Sequence, residues 1–205
     1  MPFEKMPSPI VPFTHAPLAQ RVVFGPGVFS ALPREAQALG ARRVLVLSTP
    51  GQRALAERAG ALLGPRMAAV FDRAAMHVPR ALSMEAVALA RQARADGLLA
   101  VGGGSTIGLA KAIALETGLP ILAVPTTYAG SEATPIHGST HEGRKTTGRD
   151  PRVLPRTVLY DPELSTGLAL ATSVTSAINA LAHAAEGLYA PSPDPVMGLL
   201  AEEGI

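Results

Sequence analysis

Three groups of residues in this sequence have the types and spacing that chemistry needs. The first is Gly102-Gly103-Gly104-Ser105, set between a short apolar run, Leu98 to Val101, and a helical pattern reaching Leu115. Consecutive glycines permit positive φ and leave no Cβ in the way of an approaching group. Ser105 is a favourable N-cap, and the free N–H groups of a first helical turn point back toward the glycines. Together with the positive end of the helix they make an anion site, most often used for phosphate or pyrophosphate. A plain strand-to-helix turn is the alternative. Two familiar phosphate motifs are excluded. Ile107 stands where Gly-x-Gly-x-x-Gly needs its last glycine, which falls instead at Gly108, and no Gly-Lys-Ser/Thr follows at P-loop spacing.

The second group is Pro125-Thr126-Thr127-Tyr128-Ala129-Gly130-Ser131, unusually rich in hydroxyls for a strand exit. Hydroxyl donors beside a glycine phosphate turn suit a nucleotide; an ordinary polar surface loop is the alternative. The third is a basic cluster, Arg144, Lys145, Arg149, Arg152 and Arg156, opposed only by Glu142 and Asp150. Arg pairs with carboxylates bidentately and Lys supplies a point charge, so a dicarboxylate ligand would give some of them a task. A solvated basic hairpin is the competing account.

The elements that must position these groups alternate. Arg21 to Gly25 reads as a strand, Val28 to Leu39 as a helix closed by Gly40, and Arg43 to Ser48 as a buried strand left through Ser48-Thr49-Pro50-Gly51. A helix from Gln52 to Leu63 and a strand from Met67 to Phe71 follow. Ser83 is expected to cap a helix running to Ala95, and Pro120 to Pro125 reads as another strand. Strands apolar on both faces, alternating with helices, imply a parallel sheet covered on both sides. Ligands gather outside the carboxyl ends of such strands, which puts the loops 48–51, 102–105 and 125–131 at one edge. Residues 134–147 suggest a hairpin, and Arg156 to Tyr160 a late strand ended by Asp161-Pro162.

Beyond that point the character becomes helical. Val174, Ile178, Leu181, Ala185 and Leu188 form an apolar stripe, with Ser176, Asn179, His183 and Glu186 opposite. Pro191, Pro193 and Pro195 break this helix, and another begins near Val196. The expected organisation is α/β: a parallel-sheet domain over 1–162, then the start of an all-helical domain over 163–205.

Composition narrows the function classes. Of 205 residues 47% are apolar, enough for a sizeable core, yet no apolar run approaches a membrane span. The proline-rich start, with Pro2, Pro7, Pro9, Pro12 and Pro17, is not a secretory signal. Cysteine is absent, which excludes disulfides and thiolate chemistry. A net charge of +2, few aromatics and no Trp argue against nucleic acid as a partner. A soluble cytoplasmic protein is expected.

Several of these strings together resemble the iron-containing alcohol dehydrogenase superfamily: Asp96 with Gly102 to Ser105, Pro125 to Glu132, Asp161-Pro162-Glu163-Leu164, and His183 on the polar helix stripe. Within it the sequence is most similar to the maleylacetate reductases, through 102–118, Lys145 to Arg156, and Asn179 to Glu186. The resemblance implies an N-terminal dinucleotide-binding domain, an all-helical domain and an active site in the cleft between them. It implies NADH or NADPH as cofactor, with Gly103, Gly104 and Ser105 on the pyrophosphate and Thr126, Thr127 and Ser131 lining the nicotinamide side. Lys145 would lie on the ribose or substrate side, and Arg149 with it, toward a small dicarboxylate. His183 is carried over as a catalytic residue, a histidine merely hydrogen-bonded in the cleft being the alternative. No nucleic acid or membrane partner is implied, and the full-length form would be a homodimer.

Two departures matter. Many metal-dependent members carry Asp and His four residues apart on one helix face. Here Asn179 stands at the Asp position while His183 remains, so no tightly bound metal is expected. The resemblance implies a helical domain that continues past Ile205, so the chain is expected to be a fragment, a truncated gene product or an incomplete form of a longer enzyme. The resemblance implies reduction of maleylacetate to 3-oxoadipate in aromatic-compound catabolism. Another iron-type alcohol or polyol dehydrogenase, and a truncated nucleotide-binding module without turnover, are the rivals.

Overall fold

The computed structural model describes residues 12–141, 144–191 and 194–205; the side chains of 141, 144 and 145 lie outside the description. The chain divides into two compact units, 18–176 and 177–205 with the residues before 18.

The larger unit is built on a six-stranded parallel sheet. Its strands are β1 (Arg21–Phe24), β2 (Val44–Leu47), β3 (Met67–Phe71), β4 (Gly97–Gly102), β5 (Ile121–Pro125) and, after an excursion, β8 (Thr157–Tyr160). Their order is β1-β8-β5-β4-β2-β3. The connecting helices are α1 (Leu32–Ala38), α2 (Arg53–Leu63), α3 (Arg80–Gln92) and α4 (Gly104–Thr117).

Strand periodicity sorts the core into two layers. Leu45, Leu47, Leu98, Ala100 and Ile121 face one side, where Val87 and Ala90 of α3 and Ile107, Ala110 and Ile113 of α4 cover them. The alternate residues Val44, Val46, Leu99, Val101, Leu122 and Val124 face Leu32, Ala36, Ala56, Ala59 and Leu63 of α1 and α2. Burying each large aliphatic side chain contributes about 1.5–3 kcal/mol, which is why these apolar runs hold as central strands. The alternation read from the sequence is therefore the alternation of the fold.

Three local expectations change. The helix expected from Val28 opens as a 3-10 turn, Val28–Ala31, before α1 takes over with Pro33 in its first turn. Ser83 does not cap α3: the helix begins at Arg80 after Pro79, and the Ser83 hydroxyl bonds back to the Arg80 carbonyl. Ser105 is likewise inside α4, whose N-cap is Gly103 with no side-chain cap bond. Serine is favoured at an N-cap only where the preceding backbone leaves the helix there, and at both sites it leaves earlier.

The excursion between β5 and β8 is an antiparallel hairpin, β6 (Ile136–His141) and β7 (Arg144–Arg149), outside the main sheet. The end of β8 is tied down by Asp161, a buried side chain that accepts from the N–H groups of Gly27 (3.1 Å), Phe29 (3.0 Å) and Glu163 (3.1 Å). The last strand of the sheet thus ends at Tyr160, while the compact unit runs on to Ser176.

The helices α5 (Leu170–Leu188) and α6 (Pro195–Glu203) complete the chain. Within the smaller unit, small residues bring the helices close: a Cβ on Gly187 would lie 3.4 Å from that of Ala201. Asp194 caps α6 through the Val196 N–H and pairs with His15 at 2.7 Å, which together hold its carboxyl below the usual range. Pro193 lies outside the described residues.

Candidate functional site

The strand order reverses between β2 and β4: the chain leaves β2 toward β3 at one edge, then returns to β4 and β5 on the other side. At such a switch point the loops diverge and open a crevice beyond the carboxyl ends. The loops after β2, β4 and β5 meet there. The Thr126 N–H donates to the Gly102 carbonyl at 3.2 Å, and the Gln52 side-chain amide donates to the Thr126 hydroxyl at 2.6 Å.

Each glycine of the turn has its own reason. Gly102 has φ near 151°, and a Cβ there would collide with the Thr106 hydroxyl and lie 2.7 Å from the Gln52 side-chain oxygen Oε1. Gly103 has an ordinary extended backbone; what it needs is room, since a Cβ would lie 2.8 Å from Thr127 Oγ1 and 2.9 Å from its Cγ2. Gly104 opens α4, and a Cβ there would meet only Ala129 at 3.5 Å. Positive φ is thus needed at one of the three glycines and absence of a side chain at two.

The turn has the makings of an anion cradle. Gly103 accepts from the N–H groups of Thr106 and Ile107, both at 3.1 Å, and the N–H groups of Gly104 and Ser105 precede any residue that could accept within the helix. Ser48 Oγ, Gln52 Oε1 and Thr106 Oγ1 are buried without a hydrogen-bond partner among the described residues. Orphaned buried polar atoms are uncommon, and three on the loops and first helical turn bordering one crevice fit a polar ligand there. The half-buried Gly104 and Ser105 leave room for it, so the residues present fit the diphosphate of a dinucleotide.

The hydroxyl loop divides by role. Thr126 is buried and its hydroxyl is committed to Gln52. Thr127 packs on Gly103 and lines a cavity of about 450 Å³ with Tyr128, Gly130, Glu132 and Tyr160. Ser131, half-buried, opens the 3-10 turn that carries Glu132 into the interior. Glu132 Oε1 accepts from the Tyr160 hydroxyl at 3.0 Å, and burial, then the Glu132 charge, raise the Tyr160 phenol above its usual range.

The basic cluster separates as well. Arg149 is exposed and paired in the ladder with Ile136, at the root of the hairpin. Lys145 pairs with Thr140 farther out; its side chain and that of Arg144 lie outside the description. Arg152 forks onto Asp150, with bonds of 2.7 to 3.1 Å, and holds that carboxyl down to about 2. Its charge is already partnered. His183, on α5, is exposed with its Nδ1 3.2 Å from Glu186 Oε2. Among the described residues no three His, Asp or Glu gather as a metal site.

Gln52, Thr106 and Lys111 carry structure that sequence reasoning passed over. Gln52 and Thr106 look unremarkable in the sequence because what singles them out is a neighbour on another loop. Lys111 did leave a signal, as a single charge inside the apolar helical run Ile107 to Leu115.

The sequence model of a family described as iron-containing alcohol dehydrogenase matches residues 19–162. The chain is 61% identical over 185 residues to a maleylacetate reductase of Burkholderia cepacia, covering 90% of this chain and 53% of that one. It is 55% identical over 193 residues to a maleylacetate reductase of Pseudomonas sp. strain P51, covering 94% and 55%. The crystal structure of maleylacetate reductase from Agrobacterium tumefaciens, 48% identical, matches with a TM-score of 0.92 over 94% of this chain and 55% of that chain. The chain therefore spans about half the length of the curated relatives it matches.

Proposed function

This chain belongs to the iron-containing alcohol dehydrogenase family, and from that premise we propose that it is the cofactor-holding part of a maleylacetate reductase. The reaction would be NADH- or NADPH-dependent reduction of maleylacetate to 3-oxoadipate in aromatic-compound catabolism, in a cytoplasmic enzyme that is homodimeric when complete. The observation that carries the reading is the glycine cradle at the strand-order reversal, where free N–H groups and orphaned buried polar atoms share one crevice. The identity to the reductases supplies the substrate.

In this reading Gly103, Gly104 and Ser105 hold the diphosphate, their N–H groups and the α4 dipole offsetting its charge. Thr127 and Ser131 line the nicotinamide side, and Thr126 holds the loop through Gln52. When bound, the reduced nicotinamide supplies a hydride to the alkene carbon. Lys145 and Arg149 hold the substrate carboxylates and stabilise the enolate charge that develops. His183 supplies or relays the proton that completes the saturated product. No tightly bound metal is proposed on α5, because Asn179 offers a neutral amide, four residues before His183, where a hard cation wants a carboxylate.

A nucleotide-binding module without turnover is the second reading, and one observation favours it: no side chain of α5 is buried, His183 included. The test compares this chain with a version extended by the C-terminal part of the Burkholderia cepacia relative. Both should bind NADH by fluorescence titration, and the extended one should oxidise it only when maleylacetate is added. Binding without oxidation in the extended protein would leave the module reading; absence of binding in both would overturn the cradle.

A further inference from the structure

Helix α4 carries the cradle at its first residues and, seven residues on, a lysine that the reaction above does not use. At about 1.5 Å per residue, Lys111 stands some 10 Å behind Gly104. It is 1% exposed, the largest of the fully buried side chains. Its ammonium donates to the carbonyl of Ile136 at 2.6 Å and that of Thr134 at 2.8 Å, with the Thr134 hydroxyl at 3.4 Å. Lysine has three donors and no acceptor, so these partners use its full capacity.

Those carbonyls are at the root of the β6–β7 hairpin. Ile136 is the first residue of β6 and pairs directly with Arg149; Thr140 of the same strand pairs with Lys145. The hairpin is a two-stranded ribbon not hydrogen-bonded into the main sheet, and such ribbons are marginal alone. Among the described residues its other ties are longer: the Thr140 N–H reaches the Val78 carbonyl at 3.4 Å, and just past β7 Arg152 reaches that of Leu115 at 3.4 Å. Among the described residues, the two shortest bonds between helix and hairpin root both come from one ammonium.

Burying an ammonium is costly unless something specific requires it. Here burial lowers the amine to about 8, and the nearby Glu132 carboxylate, itself buried, opposes that shift. An apolar residue would fill the slot without this cost and would leave two carbonyls unpaired. We propose that Lys111 is a positioning residue, which fixes the basic hairpin against the cofactor cradle by joining both to one rigid helix. The role for Lys145 and Arg149 rests on the function proposed above; the tether itself does not.

Two measurements keep these apart. In this chain, Lys111→Met should speed hydrogen exchange of the β6–β7 amides by about tenfold or more, while β2, β4 and β5 amides stay within about twofold. Unchanged hairpin exchange, or equal loss of protection across the sheet, would overturn the tether. Because the chain has no cysteine, Lys111→Cys alkylated with bromoethylamine while unfolded, then refolded, restores an ammonium of nearly the same reach. It should return hairpin protection, whereas the unalkylated variant should not; equal protection in the two would also overturn it. In the extended protein, Lys111→Met should raise KM for maleylacetate by about tenfold and leave NADH affinity within about twofold. If the exchange result holds and KM does not move, the tether stands and the substrate role of the hairpin falls.

Discussion

Around the glycine turn, side chains and backbone hold one another: Gln52 holds Thr126, Thr127 fills the space Gly103 leaves, and Thr106 presses on Gly102. On the basic hairpin Arg149 is exposed and one buried ammonium anchors the root; on the turn just beyond, Arg152 is bound to Asp150. The first region is made of backbone and cannot be rearranged without disturbing three strands. The second is a two-stranded ribbon outside the main sheet, held at its root and carrying exposed charge. A diphosphate is common to many substrates' enzymes and suits the rigid region. Under the proposed function, recognition of the dianion falls to the second.

The largest effect should come from forcing a side chain into the rigid region. Gly103→Val should abolish measurable NADH binding and, by overpacking against Thr127, cost about 1–3 kcal/mol in urea unfolding. The double variant Gly103→Val with Thr127→Ala separates the two effects. Stability should return while NADH affinity does not; recovery of both would mean that Gly103 matters for packing alone.

On the hairpin side, Arg149→Met in the extended protein should leave stability and NADH affinity alone. Losing a charge-assisted hydrogen bond to the dianion costs about 1.5–3 kcal/mol, on the order of ten- to a hundredfold in kcat/KM for maleylacetate. Unchanged kinetics would return this arginine to the solvated surface and blur the contrast.

A smaller effect reports the anchor. With Lys111 lowered to about 8 in the folded chain and near its ordinary value when unfolded, the unfolded chain binds more protons between those limits. Stability should therefore rise with pH from about 8 toward 10. Tyr160 is shifted upward, so above its ordinary value the folded chain keeps a proton that the unfolded chain loses, and stability should then fall. Urea midpoints across this range should show the rise in the parent and not in Lys111→Met.

The smallest is local. Asp150, held by Arg152 to about 2, contributes stability that is present above the ordinary carboxylate range and lost as pH falls through about 2. Carboxyl chemical shifts should place its midpoint there, and Arg152→Met should move it upward. An unmoved midpoint would mean that Arg152 is not committed to Asp150 and is free for a ligand.

What was legible in the sequence follows the same divide. The parallel sheet was readable because its strands are apolar on both faces, and the crevice because the strand exits carry glycine and hydroxyls in place of charge. Ser105 and Ser83 misled, since a good capping residue says nothing about where the preceding backbone turns away. Gln52 and Thr106 were invisible because their meaning is a distance to another loop. The cluster around Arg149 was legible as charge only. That Arg152 is spoken for by Asp150 depends on a turn, Pro151–Val153, whose geometry composition does not encode.

The strand order also bears on how the chain is made. Arg21 of β1 pairs with Thr157 of β8, near the far end of the larger unit. During synthesis β1 leaves the ribosome first, yet its partner emerges after every other strand of the sheet. β2, β3, β4 and β5 each have a sheet neighbour that emerges shortly before or after them and can assemble while translation continues. β1, with Val22 and Phe24 still largely uncovered in the finished sheet, must wait as a loose apolar strand. A nascent chain halted before residue 157 therefore has a nearly complete parallel sheet and one sticky edge, and is the state in which chaperone capture should be strongest.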